Sequence, residues 1–251
     1  MTTHALGVDV GGTGIKAAVV DLDTGAFVGD RFRRKTPHPA TPAAVVDTIG
    51  EVVEHLGWHG PLGCTFPAVI KDGRALTAAN VDRAWVDTDV AALVAARTGS
   101  PVTVVNDADA AGLAEARFGA AAGRGGVVLL LTLGTGIGSA LLIDGRLVPN
   151  TELGHLEVDG KEAEDRASDA AREKHDLSWA KYAARLSTVL QRMEALLWPD
   201  LIVLGGGISR DPTTFLPLLE CRTHVVPATL ANAAGIVGAA LYDSEVRSRR
   251  G

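Results

Sequence analysis

The segment from Gly11 to Gly14, GGTG, has the composition of a turn that binds an anion. It follows an apolar run that contains one acid, Asp9, and Lys16 comes just after it. Glycines at the end of a strand let backbone N–H groups approach a phosphate closely, because no Cβ is in the way. The pattern matches neither a Walker A loop nor a Rossmann turn, whose glycines lead into a helix. Two interpretations are open: a phosphate site beside a cation, or a glycine β-hairpin with a half-buried Asp9.

The tetrapeptide GTGI occurs twice, at residues 12–15 and again at residues 134–137. Each copy lies between two apolar runs, and an Asp/Gly turn follows each second run. We interpret this as a duplicated module, which predicts two similar α/β lobes with a cleft between them. Two glycine hairpins indicate phosphoryl transfer, with Thr13, Thr135 and the adjacent N–H groups as phosphate ligands. Asp9 would hold Mg²⁺, directly or through water, since Mg²⁺ prefers one or two carboxylates and keeps several waters.

Asn106 and Asp107 follow a β-branched run, at the point where a helix is predicted to begin. One interpretation is N-capping, for which both residue types are well suited. The other makes Asp107 the general base that takes the proton from an attacking hydroxyl, a contribution of roughly 10²–10⁴-fold. The duplicated glycine hairpins favour the second interpretation.

Glu152 and His155 have i, i+3 spacing in a polar loop. They could bind a metal, but no second His or Cys pair accompanies them in the sequence. A polyol site needs donors and acceptors that face adjacent hydroxyls. With Asn106 and Asp107 these residues would form such a set if the two loops meet in the fold.

The composition excludes several classes of protein. The chain has 251 residues and 47% are hydrophobic, so it can bury a core in one large domain or two smaller ones. Its formal net charge of −6 does not favour nucleic-acid binding. The two cysteines are far apart, which indicates neither a disulfide framework nor structural zinc and is typical of a reducing cytoplasm. No signal peptide and no membrane-spanning segment are expected.

The hydrophobic periodicity predicts an α/β chain in two parts. We expect a small N-terminal lobe over residues 1–105, with a helix at 231–243 packing back on it. A larger C-terminal lobe is expected over 106–230, and a flexible tail over 244–251. Between the regular elements, the pattern predicts irregular structure at 72–85, helices at 161–175 and 213–220, and a glycine loop at 205–207.

Five segments occur in the order and spacing of the ROK family of sugar kinases, which this sequence resembles. They are LGVDVGGTGIKAAVVD, VVNDADAAGLAE, LTLGTGIGSALLIDG, ELGH and VLGGGIS. Within that family the chain looks like the members that use inorganic polyphosphate or ATP, through TFPAVIKDG, AANVDRAW and ELGHLEVDGKEAEDRAS. The resemblance covers nearly the whole chain. It implies the actin-like, hexokinase-like ATPase fold, a duplicated ribonuclease H-like architecture with two lobes and a central cleft.

The resemblance also implies roles for individual residues, with Asp107 as the catalytic base. Many ROK proteins place a cysteine zinc site after the Gly-His pair, but this chain has no cysteine there, so we expect no zinc at His155. The implied glucose ligands are Asn106, Asp107, Glu152, His155, Asn80, Phe66, Pro67 and, as the nearest equivalent of the family's last sugar-binding glutamate, Glu164. The implied phosphate and nucleotide ligands are Asp9, Gly11, Gly12, Thr13, Gly14, Lys16, Thr132, Gly134, Thr135, Gly136 and, near an adenosine, Gly205, Gly206 and Gly207.

The implied reaction is phosphoryl transfer from inorganic polyphosphate to the 6-hydroxyl of glucose, with ATP as a second donor and mannose as a further acceptor. A homodimer, Mg²⁺ as cofactor, a cytoplasmic location and no nucleic-acid or membrane partner are also implied. One alternative is an ATP-only glucokinase or glucomannokinase of the same fold. Another is a non-catalytic, sugar-responsive ROK regulator, which needs an added helix-turn-helix segment for which we expect no room. Candidate cations for a polyanionic donor are Lys16, Arg31, Arg33, Arg34, Lys71, Arg74, Arg83, Arg124 and Lys161.

Overall fold

The structure is a computed structural model that describes residues 3–78 and 81–249. Its strands are β1 (His4–Gly11), β2 (Gly14–Asp21), β3 (Phe27–Arg34), β4 (Leu62–Phe66), β5 (Ile70–Lys71), β6 (Arg74–Ala75), β7 (Thr88–Asp89), β8 (Val102–Asn106), β9 (Val127–Leu133), β10 (Ile137–Ile143), β11 (Arg146–Val148), β12 (Glu157–Val158), β13 (Lys161–Glu162), β14 (Leu201–Gly206) and β15 (Val225–Pro227). Its α-helices are α1 (Pro42–His55), α2 (Val90–Thr98), α3 (Asp107–Phe118), α4 (Ala163–Ala167), α5 (Asp169–Lys174), α6 (Trp179–Leu197) and α7 (Ala234–Ser248).

The chain forms two compact units with the same strand order. The first unit contains the residues up to Ala114 and those from Ala233 onward, and the second contains Glu115–Asn232. The main sheets have the orders β3-β2-β1-β4-β8 and β11-β10-β9-β14-β15. In each sheet a three-stranded antiparallel meander continues into two parallel strands. This agreement is the result that duplication of one module predicts, and it confirms the expected α/β fold class.

Helices cover both faces of the sheet in the first unit. Helix α1 has a proline at its first turn and buries an apolar stripe with 3.6-residue spacing, which packs with α2 on one face. Helix α7 packs on the other face so closely that a Cβ on Gly7 would collide with the carbonyl of Ile236. A Cβ on Gly63 would likewise collide with the carbonyl of Ala239. These two glycines therefore set the distance between α7 and the sheet.

Helix α6 builds the core of the second unit. Ser178 caps it, with Oγ accepting a hydrogen bond from the N–H of Lys181 at 3.4 Å. The helix ends at Leu197, and Trp198, which follows it, has left-handed backbone geometry. Its buried face contributes Tyr182, Leu186, Val189, Leu190 and Met193 to a core with the apolar side chains of β9 and β14. Among the described residues, none of the helices has the length and apolar character that crossing a bilayer requires.

Four segments differ from the sequence-based expectations. The region expected to be irregular at 72–85 contains β6, which pairs with β5 and β7. The helix expected at 161–175 is divided at Ser168, whose extended backbone separates α4 from α5. The helix expected at 213–220 consists of short 3₁₀ turns, because Pro217 has no N–H to continue the ladder. The glycines at 205 and 206 belong to β14, paired with β9, and are not a loop.

Helix α7 also extends beyond its expected end. It continues to Ser248, so the segment expected to be a flexible tail is helical over most of its described length. Two i, i+4 ion pairs support this last part, Asp243 with Arg247 at 2.7 Å and Glu245 with Arg249 at 3.4 Å. The two units meet in the sequence within α3, after Ala114, and not at the end of β8.

Candidate active site

The two GTGI segments form different hairpins. In the first, Gly11 pairs with Gly14, so the turn consists of two exposed residues. In the second, Leu133 pairs with Ile137, and the intervening loop has three residues. That loop is closed by a hydrogen bond of 3.0 Å from the N–H of Gly134 to the carbonyl of Gly136. Each turn exposes its threonine, so the tetrapeptide presents a threonine side chain in both units.

The first hairpin places four polar residues in one row across the sheet. The registers pair Arg33 with Lys16, Lys16 with Asp9, and Asp9 with Thr65. Paired residues project from the same face, so the four side chains are neighbours. The Nζ of Lys16 lies 3.1 Å from Oδ2 of Asp9, and the hydroxyl of Thr65 donates to Oδ1 of Asp9 at 3.0 Å. The carboxylate of Asp9 is thereby fixed between a cation and a hydroxyl.

Helix α7 closes over this carboxylate at Gly235. A Cβ on Gly235 would lie 2.8 Å from Cγ of Asp9, so a larger residue would displace the acid. The side chain of Asp9 keeps 15% of its surface exposed. A mostly buried and oriented carboxylate at the base of a glycine turn has the chemistry of a Mg²⁺ ligand that acts directly or through a water.

Asn106 and Asp107 differ in burial and in hydrogen bonding at the start of α3. The Oδ1 of buried Asn106 accepts hydrogen bonds from the N–H groups of Ala108 at 2.8 Å and Asp109 at 3.1 Å. Its Nδ2 donates to the carbonyl of Ala68 at 3.1 Å. Asn106 therefore caps the helix, with one N–H of its amide left for a ligand. Asp107 is exposed, and its Oδ1 also accepts a hydrogen bond from the N–H of Ala108, at 3.0 Å.

Two of the expected sugar residues do not present side chains. Phe66 is fully buried and packs against Trp85, with ring centroids 4.5 Å apart. Pro67 is also buried, so only the backbone of this turn could face a ligand. The expected contact of the Phe66–Pro67 turn with a sugar would therefore be made by its backbone, because the Phe66 ring belongs to the core. Asn80 lies outside the described residues.

In the second unit, a short 3₁₀ turn carries Glu152 and His155. Buried Ser139 of β10 holds this turn, since its Oγ donates to the carbonyl of Thr151 at 2.6 Å and accepts from the N–H of Leu153 at 3.0 Å. The Nε2 of His155 lies 4.0 Å from Oε2 of Glu152. The structure thus brings these two predicted residues together, and a buried hydroxyl in the adjacent strand fixes their position.

Two further glutamates converge on His155. Its Nδ1 lies 3.0 Å from Oε2 of Glu162, and a ligand atom of Glu164 lies within 4.8 Å of both residues. The hydrogen bond to Glu162 raises the pKa of His155 above its ordinary value. Partial burial raises the pKa of Glu152, with a further increase from the charge of Glu164 and an opposing effect of His155. This cluster of three glutamates around the His155 imidazole is therefore rich in hydrogen-bond acceptors.

Glu164 connects this group to the second glycine turn. Its Oε2 accepts from the N–H of Ile137 at 3.2 Å and occupies the space that a Cβ on Gly136 would need. A Cβ on Gly154 would collide with the carbonyl of Ile137. The glycines at 136 and 154 therefore allow the polar loop and the glycine turn to pack closely within this unit.

The remaining predicted phosphate and nucleotide residues lie at the end of β14 and beside it. Thr132 pairs with Gly205 on one side and Gly138 on the other. Gly206 has φ 88°, which favours glycine, and a Cβ there would lie 2.6 Å from the N atom of Leu133. Gly206 and Gly207 are exposed, so they could contact a nucleotide, while Gly205 is buried.

Sequence reasoning missed several residues that hold the site. Thr65, Ser139, Glu162 and Gly235 touch a predicted site residue or the loop that carries one. Thr65, Ser139 and Glu162 lie in segments that carry the family resemblance, although no role was predicted for them, and Gly235 lies outside those segments. The contacts of Thr65, Ser139 and Gly235 depend on strand register or helix packing, which the motifs do not predict.

Three comparisons with known proteins show which sequences and structures this chain is similar to. The sequence model of the ROK family matches residues 5–168. The polyphosphate glucokinase of Mycobacterium tuberculosis (strain CDC 1551 / Oshkosh) is 56% identical over 95% of this chain and 90% of its own. The crystal structure of the inorganic polyphosphate/ATP-glucomannokinase from Arthrobacter sp. strain KM is 51% identical, with a TM-score of 0.93 over 98% of this chain and 100% of its own. A ROK family glucokinase from Streptomyces griseus, in complex with glucose and AMPPNP, is 27% identical, with a TM-score of 0.80 over 96% of this chain and 99% of its own.

Proposed function

The chain belongs to the ROK family, and from that premise we propose that it transfers a phosphoryl group from inorganic polyphosphate to the 6-hydroxyl of glucose. ATP is the second proposed donor, and the product is glucose 6-phosphate. The observation that carries the proposal is the similarity to a polyphosphate glucokinase over nearly the full length of both chains. The actin-like, hexokinase-like fold class expected from the sequence is confirmed by the structural neighbours.

In this proposal Asp107 is the general base. Its carboxylate is exposed at the start of α3, while Asn106 supplies the cap that the helix needs. An ionised carboxylate within hydrogen-bond reach of the sugar 6-hydroxyl takes its proton as the oxygen attacks phosphorus.

Glucose is held, in this proposal, by acceptors and donors from the polar loops. Glu152, His155 and Glu164 supply carboxylates and an imidazole that can bind adjacent hydroxyls, and Asn106 supplies one amide N–H. Asn80 and the Phe66–Pro67 backbone are further proposed ligands. The pairing of Glu164 with the second glycine turn supports its assignment as a sugar ligand, since both sugar and phosphate must reach that turn.

The donor phosphates are bound, in this proposal, by the two glycine turns, with Lys16 beside the first. Mg²⁺ is the proposed divalent cation, held by Asp9, and when bound it supplies charge that neutralises the phosphates. The fixed carboxylate of Asp9, braced by Thr65 and backed by Gly235, supports this role.

The test is a coupled assay with a single donor in each reaction. The purified protein is incubated with Mg²⁺, glucose and either long-chain polyphosphate or ATP, and glucose 6-phosphate is measured. We expect product from polyphosphate. Product from ATP alone would establish the ATP-only alternative, and product from neither donor would overturn the kinase assignment. Mannose in parallel reactions defines the acceptor range.

A further inference from the structure

The basic residues of β3 point to opposite faces of the first sheet. Phe32 stacks on His55 of α1, with ring centroids 3.6 Å apart. Arg34 lies over the Phe32 ring and pairs with Glu51 of α1 at 3.6 Å. Phe32 and Arg34 therefore lie on the α1 side, where Arg34 already has a carboxylate partner.

Arg33 projects from the other face, beside the first glycine turn. Its register partner is Lys16, and the partner of Lys16 is Asp9, so it lies on the face of the proposed metal ligand. Its Nη2 donates to the carbonyl of Thr13 at 3.0 Å. A Cβ on Gly14 would lie 2.5 Å from Nε of Arg33, so the guanidinium covers the start of β2. The other N–H groups of this guanidinium can still bind an anion.

Arg31 continues this basic surface along the edge strand. Arg31 is exposed and lies two residues before Arg33, in the part of β3 where the register with β2 is shifted. Within residues 3–78 and 81–249, neither Arg31 nor Arg33 forms an ion pair with a carboxylate, in contrast to Arg34. Two exposed cations without carboxylate partners, in a chain of net charge −6, indicate local attraction for an anion.

We propose that Arg33 and Arg31 bind phosphates of the polyphosphate chain beyond those held by the first glycine turn. This inference rests on the proposed function. Adjacent strands are roughly 4.8 Å apart, so β3 lies roughly 10 Å from β1 and its Asp9. A polyphosphate chain that extends outward from the turn crosses Lys16 and then the edge strand. ATP carries a nucleoside in place of those further phosphates, so it does not require these two arginines.

The test compares donors in single variants of the full-length protein. Arg31→Ala and Arg33→Ala should each raise the KM for long-chain polyphosphate roughly tenfold, the value of one lost charge-assisted hydrogen bond. The KM values for ATP and glucose should stay within about twofold, because their proposed ligands are elsewhere. Arg34→Ala is the matched control, since it removes the same charge from the same strand on the other face.

The outcomes separate this inference from the proposed function. An unchanged polyphosphate KM in Arg31→Ala, which loses no contact in the described structure, overturns it. An equal rise in the KM values for ATP and polyphosphate in Arg33→Ala would also overturn the inference. It would mean that Arg33 only stabilises the first glycine turn, through its hydrogen bond to Thr13. If the wild-type protein makes no product from polyphosphate, the proposed function has failed before any variant is measured.

Discussion

The Nδ1 atom of His155 lies 3.0 Å from Oε2 of Glu162, at the position in the chain where many ROK proteins have a cysteine zinc site. The carboxylate orients the ring and directs its other nitrogen, Nε2, toward Glu152 at 4.0 Å. Glu162 therefore positions His155 in a segment without cysteine. Removal of the Glu162 carboxylate should therefore change the protonation of the His155 imidazole and leave the other proposed sugar ligands in place.

Glu162→Gln should lower the pKa of His155 toward its ordinary value, since the hydrogen bond to Glu162 is the main cause of the raised pKa. An NMR titration of the His155 ring measures this directly. Glu157→Gln is the control, because Glu157 pairs with Glu162 across β12 and β13 and carries the same charge. An unchanged His155 pKa in Glu162→Gln would contradict the assignment.

The same bond predicts a pH dependence of stability. A raised pKa means that the folded state binds the proton more tightly than the unfolded state does. The stabilisation is then fully present below the ordinary His pKa of about 6.5 and is lost as the pH rises through the raised value. Thermal unfolding of wild type and Glu162→Gln should therefore differ more at pH 5.5 than at pH 8.5. A difference that grows with pH would have the wrong sign.

Asp107→Asn should lower kcat by roughly 10²–10⁴-fold with both donors, because the amide cannot accept the hydroxyl proton. The unfolding temperature should stay near that of the wild type, since Asp107 is exposed and Asn106 holds the helix cap. Asn106→Ala is the contrasting variant. It should lose about 1 kcal/mol or more of stability through the missing cap. Near-normal kcat in Asp107→Asn would place the base elsewhere.

Thr65→Val should raise the half-saturating Mg²⁺ concentration by roughly 10-fold or more, as loss of a hydrogen bond to a metal-binding carboxylate does. The change removes the hydroxyl that donates to Asp9 and keeps a β-branched side chain in β4. Activity is measured against free Mg²⁺ at saturating glucose and donor. Thr103→Val in β8 is the control, because its hydroxyl bonds Asp243 instead. Equal Mg²⁺ dependence in the two variants would argue against Asp9 as the ligand.

Gly134→Ala should weaken binding of the phosphate donor without destabilising the folded protein. A Cβ at Gly134 meets no atom within 4 Å, and its φ is not in the left-handed region, so the fold should tolerate it. Stability should be unchanged or up to about 1 kcal/mol higher, because alanine restricts the unfolded chain. The KM for the donor should rise roughly tenfold or more, since the methyl keeps phosphate from the backbone N–H groups. A normal donor KM would remove this turn from the phosphate site.

Short-range patterns predicted much of the fold. The helix start predicted at Asn106 and Asp107 is that of α3, the helix predicted at 231–243 corresponds to α7, and the apolar runs around the two GTGI copies are β1, β2, β9 and β10. The repeated GTGI predicted two similar α/β units, and the structure adds that their main sheets have the same strand order. The patterns failed at 161–175 and 213–220, where Ser168 and Pro217 interrupt the ladder of backbone hydrogen bonds.

The sequence by itself determined the residue types of the site and their order, Asp9 and the glycine turns, Asn106 and Asp107, Glu152 and His155. Only the tertiary structure decided which of these side chains are fixed by hydrogen bonds or packing, and which residues fix them. Thr65 reaches Asp9 through the parallel register of β1 and β4, and Gly235 reaches it from a helix more than two hundred positions later in the chain. The Phe66 ring lies in the hydrophobic core, and Glu162 forms a hydrogen bond with His155. These contacts join residues far apart in sequence or depend on a turn's shape, so packing and register fix them and local composition does not.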